Sequence, residues 1–273
     1  MLLEIKDNAL LINDSKLCIP NMCFMKEIGN GANAKVFLAY NTLLYRNEAV
    51  KVWISKKNQK EVDSDRFLEE VRKNANVSFP NVASFYDANI ENGIFYARLE
   101  YIPGQTLRDF LLKSPAYVFR YSILKTILET MRLVYEQGYY HGDLHTGNVI
   151  VNNYKPYIID FGTSIFSGVN ASHERDCRML VKLCFEVLPE LRKLDFINNE
   201  KVIEQGSEIA SDFLLRCLSI IWDFENSSTL DLDSYTYKEW YFRFVCLVDD
   251  FSFLNIDAVK EFFAKNFLTG TSM

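Results

Sequence analysis

The sequence predicts an α+β chain in two portions, strand-rich from residue 1 to 101 and helix-rich from 102 to 273. Three observations predict it. Short β-branched runs fill the first portion, as in Glu48-Ala-Val-Lys-Val-Trp-Ile54. Apolar residues recur at a 3.6-residue period in the second, most clearly from Tyr117 to Gln137. Pro103-Gly104 stands between the two, a pair that ends regular structure and turns the chain.

Taken in order, Leu3-Glu-Ile-Lys6 and Ala9-Leu-Leu-Ile12 read as strands around the turn signal Asp7-Asn8. Phe24 to Ile28 leads into the glycine stretch Gly29-Asn-Gly-Ala-Asn-Ala-Lys-Val-Phe-Leu-Ala-Tyr40. Ser64 can cap a helix with Phe67, Leu68, Val71 and Ala75 on its inner side, and Phe79-Pro80 ends that element. Val82 to Tyr86 and Ile94 to Tyr101 read as two more strands. Thr106 can cap a helix over 107–113. Ile123, Leu124, Ile127, Leu128, Met131, Val134 and Tyr135 form the stripe of a long helix, which Gly138 stops. Val149–Val151 and Tyr157–Ile159 are short strands about an Asn152-Asn153 turn. A helix from about Glu174 carries Met179, Leu180, Leu183, Cys184 and Val187, and Pro189 ends it. Further helices are expected around 208–222 and 256–267, with Trp222, Trp240, Phe242, Phe244, Phe251 and Phe253 packing onto the helical portion.

Of the 273 residues, 49% are hydrophobic, enough for two sizeable cores. The net charge is -6 and no basic cluster interleaves with aromatics, which disfavours nucleic acid and anionic membrane as partners. No apolar run approaches the ~18 residues of a transmembrane segment. Glu4, Lys6 and Asp7 interrupt the first stretch, so it does not read as a signal peptide. Cys18, Cys23, Cys177, Cys184, Cys217 and Cys246 form no Cys-x-x-Cys pair and read as reduced thiols of a cytoplasmic protein.

Three stretches can carry chemistry. Gly29 and Gly31 let backbone N–H groups approach phosphate oxygens, although Gly-x-Gly alone is equally a plain hairpin turn. Ala34 stands where a third glycine would stand, and Val36 follows. Lys51 lies mid-strand after Ala49-Val50, where a lysine can pair the α- and β-phosphates of a nucleotide. It needs a carboxylate, and Glu69 or Glu70 can supply one. Glu70 fits the offset from Pro80 better. In His141-Gly-Asp-Leu-His-Thr-Gly-Asn148, Asp143 can orient an attacking hydroxyl and take its proton. Asn148 can ligate a divalent cation, and Asp160 in Ile158-Ile-Asp-Phe-Gly162 adds an anionic ligand. Such a site works by positioning and by neutralising charge on a transferring phosphoryl group.

His141 and His145 also have the four-residue spacing of a zinc helix. A zinc-hydrolase helix needs Glu directly after its first His. Gly142 stands there instead, and glycine disfavours a helix interior by ~1 kcal/mol. His173 stands alone, so the zinc reading lacks a third ligand, and His141 reads better as a packed residue.

The ordered set resembles the protein-kinase-like superfamily: glycine loop 29–36, Lys51, Glu70, connector Glu100-Tyr-Ile-Pro-Gly104, loop His141–Asn148 and Asp160-Phe-Gly162, within residues 24–188. The resemblance implies two lobes. Residues 1–101 would form an N-lobe of antiparallel sheet plus one helix, and 102–273 a mainly helical C-lobe. It implies ATP under Gly29 and Gly31, among Ala34, Val36, Ala49, Lys51 and Glu70. Adenine would lie against Glu100–Ile102, Leu99 would limit the pocket's depth, and Mg²⁺ would sit at Asn148 and Asp160.

The chain also departs from ordinary protein kinases. Gly142 replaces the arginine that pairs with a phosphorylated activation loop. His145 replaces a lysine that meets the γ-phosphate, which makes His145 a neighbour of that phosphate. About a dozen residues separate Gly162 from the helix near Glu174, with no Ala-Pro-Glu. Thr163, Ser164, Ser167 and Ser172 lie in that segment, and activity is not expected to require their phosphorylation. Asp176 would brace the catalytic loop.

That loop resembles those of lipopolysaccharide-sugar, choline and aminoglycoside kinases and of small bacterial protein kinases. The glycine stretch and the Lys51 strand resemble protein kinases. The expected activity is ATP- and Mg²⁺-dependent phosphoryl transfer to a hydroxyl, with a protein serine or threonine as acceptor in the manner of a bacterial-type kinase. The alternative acceptor is a small hydroxylated molecule or a lipopolysaccharide sugar. A pseudokinase scaffold is a third reading, at odds with the joint presence of Lys51, Asp143, Asn148 and Asp160.

Overall fold

The computed structural model describes residues 3–12, 15–31, 33–54, 64–161, 169–194, 197–226, 235–251 and 253–263. Strands β1 (Leu3–Lys6), β2 (Ala9–Ile12) and β3 (Ser15–Leu17) form a small antiparallel sheet. The larger sheet comprises β4 (Met22–Asn30), β5 (Ala34–Asn41), β6 (Arg46–Trp53), β7 (Phe85–Glu91) and β8 (Ile94–Glu100). Its order is β4-β5-β6-β8-β7, antiparallel throughout.

Both faces of this sheet are covered. Leu10, Ile12, Leu17 and Ile19 pack with Phe24, Phe37, Val50, Val52 and Tyr96 on one face. On the other, helix α1 (Ser64–Ala75) seats Phe67 against Trp53 and Ala97. Side chains alternate along a strand, so β6 sends Val50 and Val52 to the first cluster and Ala49, Lys51 and Trp53 toward α1. This alternation turns Lys51 inward.

The remaining elements are β9 (Gln105–Thr106), α2 (Leu107–Leu111), α3 (Tyr117–Glu136), β10 (Val149–Asn152), β11 (Lys155–Ile158), α4 (Val169–Val187), α5 (Asn199–Glu204), α6 (Ser207–Asn226), α7 (Tyr235–Asp250) and α8 (Ile256–Phe263). Thr106 caps α2 by accepting the Asp109 N–H at 3.1 Å, and Gly138 follows α3 at φ 76°. Ile123, Leu124, Ile127, Leu128 and Met131 of α3 are fully buried. They share one core with Leu180 and Cys184 of α4 and Phe213 and Cys217 of α6. Among the described residues, no helix is long and apolar enough to cross a membrane.

Several local expectations are corrected. The strand expected over Val82–Tyr86 is a single bridge at Val82, and β7 starts at Phe85. Ile158 N–H donates to Asn81 O at 2.8 Å and Ala83 N–H to Ile158 O at 2.9 Å, so β11 draws 81–83 away from the larger sheet. The turn after β10 is Asn153-Tyr154, both at positive φ, rather than Asn152-Asn153. Helix α4 begins at Val169 and not near Glu174, so Ser172 lies within it. Phe242 is 65% exposed and does not pack on the helical portion. The Trp240 side chain and the end of the expected 256–267 helix lie outside the described residues.

The connector after β8 runs hard against β10. Gly104 has φ 155°, and a Cβ there would stand 2.3 Å from Val151 O. Gly93, at φ 77° in the β7–β8 turn, would meet nothing within 4 Å. Gly104→Ala is therefore expected to cost about 3 kcal/mol, against about 1 kcal/mol for Gly93→Ala. Urea unfolding midpoints compare the two. Equal losses would mean that the connector lifts freely from β10.

Candidate active site

Lys51 Nζ donates to Glu70 Oε1 at 2.6 Å and to the Asp160 carboxylate. Glu70 is buried, and its second oxygen accepts the Trp53 indole N–H at 3.3 Å. Of the two candidate carboxylates, Glu70 is thus the partner. Glu69 faces outward and pairs with Lys73 at 3.0 Å. Burial alone would lower the Lys51 pKa, but the Asp160 and Glu70 carboxylates outweigh it and hold the pKa above its ordinary value. Burial would likewise raise Asp160, and the Lys51 ammonium outweighs this and pulls the pKa down.

Asp160 is held at φ 65°, a left-handed conformation that costs a non-glycine residue about 1–2 kcal/mol. Its neighbours enforce it. Ile159 N–H donates to Asn148 O at 3.0 Å, and Phe161 O accepts the Asn74 side-chain N–H from α1. Phe161 is buried, with its ring centroid 4.5 Å from that of His141. Gly162 and the candidate hydroxyls of Thr163, Ser164 and Ser167 lie outside the described residues, as does the side chain of Ser172.

The stretch 141–145 is not helical, and Thr146–Asn148 form a single 3-10 turn. The two histidines therefore share no helix face. His141 is fully buried, with Nε2 3.0 Å from Ile159 O, and its Nδ1 accepts the Asp143 N–H at 3.1 Å. Burial lowers its pKa to about 4. His145 Nδ1 accepts the Gly147 N–H at 2.9 Å and caps the turn, leaving Nε2 3.6 Å from Asp143 Oδ2. His173 is used elsewhere, accepting the Ser207 N–H at 3.0 Å.

Asp176, fully buried in α4, accepts the N–H groups of His141 at 2.6 Å and Gly142 at 2.5 Å. Burial pushes its pKa up to about 6 against the pull of those two donors. Gly142 sits at φ 83°, where glycine carries no steric penalty. Asn148 Nδ2 donates to Asp143 O at 2.9 Å. That commits its amide nitrogen and leaves its carbonyl oxygen uncommitted; an amide oxygen and a carboxylate are the donor types suited to a hard cation.

The strands line up the remaining sequence-derived residues. Gly29 pairs with Val36, Val36 with Lys51, and Ala49 with Leu99. A Cβ on Gly29 would stand 3.2 Å from Val36 Cβ. The Gly31 N–H donates to Ala34 O at 2.9 Å, and Ala34 itself is a buried strand residue. The Glu100 carboxylate accepts from Ser84 N and Oγ, and Ile102 is buried where the chain leaves the sheet.

Sequence reasoning missed three supporting side chains: Trp53 on Glu70, Asn74 on Phe161 O, and Arg175. Arg175 Nε donates to Gly142 O at 2.7 Å, and its Nη2 donates to Asp143 Oδ1 at 3.1 Å. Its place directly before Asp176 was the available signal.

The buried His141 sets a pH dependence. Its folded pKa of about 4 lies below the ordinary 6.5, so the unfolded chain binds the proton first. The stability it contributes is complete above pH 6.5 and is lost as pH falls through that window. Asp176 works oppositely, since its folded value of about 6 exceeds the ordinary 3.8. His141→Gln should therefore lose less stability than the wild type between pH 6.5 and 4, by on the order of 3 kcal/mol. Urea unfolding at several pH values reads this, and parallel pH profiles would show that His141 does not titrate there.

Residues 23–181 match the family model of the protein kinase domain. The KEOPS complex subunit Bud32 of Pyrococcus abyssi is 30% identical over 167 residues, which take in 57% of this chain and 74% of that protein. The probable serine/threonine-protein kinase YbdM of Bacillus subtilis is 26% identical over 138 residues, 50% of this chain and 54% of its own. Serine/threonine-protein kinase PrkC of the same organism is 27% identical, with 22% of its length covered. The chain thus spans about half or less of these two Bacillus relatives. The kinase domain of M. tuberculosis PknI shares the fold, with a TM-score of 0.57 at 13% identity, covering 73% of this chain and 96% of that one. The family match takes in more than half of the chain, and the protein is a kinase that belongs to the protein kinase domain family.

Proposed function

We propose that the protein is an ATP- and Mg²⁺-dependent serine/threonine-protein kinase whose activity does not require phosphorylation after Asp160-Phe161. One observation carries the reading: Lys51 is buried between Glu70 and Asp160, and Asp160 adjoins the loop that holds Asp143 and Asn148. That chain of contacts supports the reading, because phosphoryl transfer needs a phosphate-binding cation, metal-holding oxygens and a group to orient the nucleophile.

Residues 1–101 would supply the nucleotide side and 102–273 the acceptor side. ATP would lie under Gly29 and Gly31, flanked by Ala34, Val36, Ala49 and Leu99, with adenine at Glu100–Ile102. Lys51, steadied by Glu70, would bind phosphate. Asp160 and Asn148 would hold Mg²⁺, which neutralises charge on the phosphates when bound. Asp143 would orient the acceptor hydroxyl and take its proton. Because His145 Nδ1 already accepts the Gly147 N–H, the neutral ring carries its proton on Nε2, beside Asp143. His145 can therefore donate toward the transferring phosphate. The six cysteines are free, which fits a cytoplasmic setting.

One observation favours a second reading, with a small hydroxylated molecule as acceptor. Helix α4 begins at Val169, so only residues 162–168 separate it from Phe161. That is little chain from which to build a peptide-docking platform.

Labelled ATP, offered with a generic protein and with a metabolite extract, separates the two acceptors. Asp143→Asn is expected to lower kcat by about 10²–10⁴-fold with little change in KM for ATP. An unchanged rate would remove Asp143 from the base role. Phosphatase-treated protein is expected to keep its activity. Complete loss on treatment, with mass spectrometry locating phosphate among Thr163, Ser164, Ser167 and Ser172, would sink the switch-independent part of the proposal.

A further inference from the structure

We infer that Arg175 is the positioning residue for Asp143: it holds Oδ1, so that Oδ2 is the oxygen that receives the acceptor's proton. The inference rests on the reading of Asp143 as the base, and it names the atom and what aims it.

One residue, Gly142, is held from both sides. Asp176 takes the N–H of Gly142, and Arg175, the preceding residue on α4, takes its C=O. The Gly142 peptide is thus gripped at both ends by adjacent residues of one helix. The arginine fork presents Nε and Nη2 along one planar edge. With Nε on Gly142 O at 2.7 Å, Nη2 has a fixed direction, and it meets Asp143 Oδ1 at 3.1 Å. The other carboxylate oxygen is 3.6 Å from His145 Nε2, too far for a good hydrogen bond, so it stays open to an incoming hydroxyl.

The Arg175 side chain is 41% exposed, so water screens its charge and its worth lies in geometry. A carboxylate free to rotate would present either oxygen at varying angles. A misplacement of about 1 Å at a reacting group costs on the order of 10²-fold in rate. In the step served, the acceptor O–H bond breaks and its proton goes to Oδ2. The acceptor oxygen bonds to the γ-phosphorus, and ADP departs with the electrons of the cleaved P–O bond.

The test is a double-mutant cycle read as kcat and KM, using labelled ATP and dephosphorylated casein. Arg175→Ala is expected to lower kcat by roughly 10²-fold with KM for ATP within about twofold. Added guanidinium ion should restore part of that rate, which a folding defect would not allow. Arg175→Lys, whose single ammonium cannot span both oxygens, should recover only a minor part and serves if the alanine variant fails to fold. In an Asp143→Asn background, either change should alter the residual rate by less than about twofold, since no base remains to aim. Equal losses in both backgrounds would make Arg175 a general brace and overturn the inference. If Asp143→Asn lowers kcat and Arg175→Ala does not, this inference alone fails. If the wild type transfers no label, or Asp143→Asn keeps full kcat, the underlying reading fails and the inference with it.

Discussion

A buried ammonium joins the two halves of the molecule. Lys51 comes from the middle of a strand, Glu70 from the helix packed on that strand's face, and Asp160 from the segment that follows β11. An isolated buried charge costs several kcal/mol, and loss of one partner from a buried pair leaves that cost uncompensated. Lys51 therefore constrains both the docking of α1 and the path of the chain after β11. The apolar wall of Trp53, Phe67 and Ala97 keeps water away and makes the demand strict. Trp53 adds its indole N–H to the second Glu70 oxygen, so the carboxylate has little freedom to turn. Such a triad is weak evidence for stability but strong evidence for position, because only one arrangement satisfies all three charges.

The second constraint is buried irregular backbone. Apart from the 3-10 turn Thr146–Asn148 the loop His141–Asn148 is irregular, yet His141, Gly142, Leu144 and Thr146 are buried. Its peptide groups need partners that regular structure does not supply. Side chains take that part: Asp176 for two N–H groups, His141 for the Asp143 N–H and Ile159 O, Asn148 for Asp143 O, and Arg175 for Gly142 O. Several groups that look reactive in the sequence are thus occupied in holding the chain. Asp143 Oδ2 and His145 Nε2 are left without such a backbone task, 3.6 Å from each other.

This division explains what could be read in advance. The α3 stripe, the Thr106 cap and the Gly138 stop were legible because each is a local preference of a few residues. Lys51 and Glu70 were legible because strand alternation and spacing from Pro80 fix a side, though the choice between Glu69 and Glu70 needed the helix in place. The start of β7 was misread because a long-range attraction of 81–83 to β11 overrides local strand propensity. Helix α4 starts earlier than its apolar period suggests, because Val169–His173 lie ahead of the stripe that begins with Cys177 and Leu180. Arg175 had only its place directly before Asp176 as a signal. Its role depends on which peptide group happens to face that turn of α4, and nothing in a linear reading specifies this.

The charges of the site argue for how it would be filled. Its ionised groups are three carboxylates, Glu70, Asp143 and Asp160, against the two cations Lys51 and Arg175. On the proposed reading a triphosphate of about four negative charges enters this slightly negative cleft. Opposed charges a few ångströms apart in a partly dry site interact by several kcal/mol, so bare triphosphate would be repelled by Asp160 and Asp143. Lys51 cannot relieve this alone, since Glu70 already balances it. A divalent cation bound with the nucleotide would offset that repulsion, and on the proposed reading Asp160 would be one of the residues that hold it. On the same reading Asn148 would be the second donor, since an amide oxygen adds no further negative charge beside the phosphates.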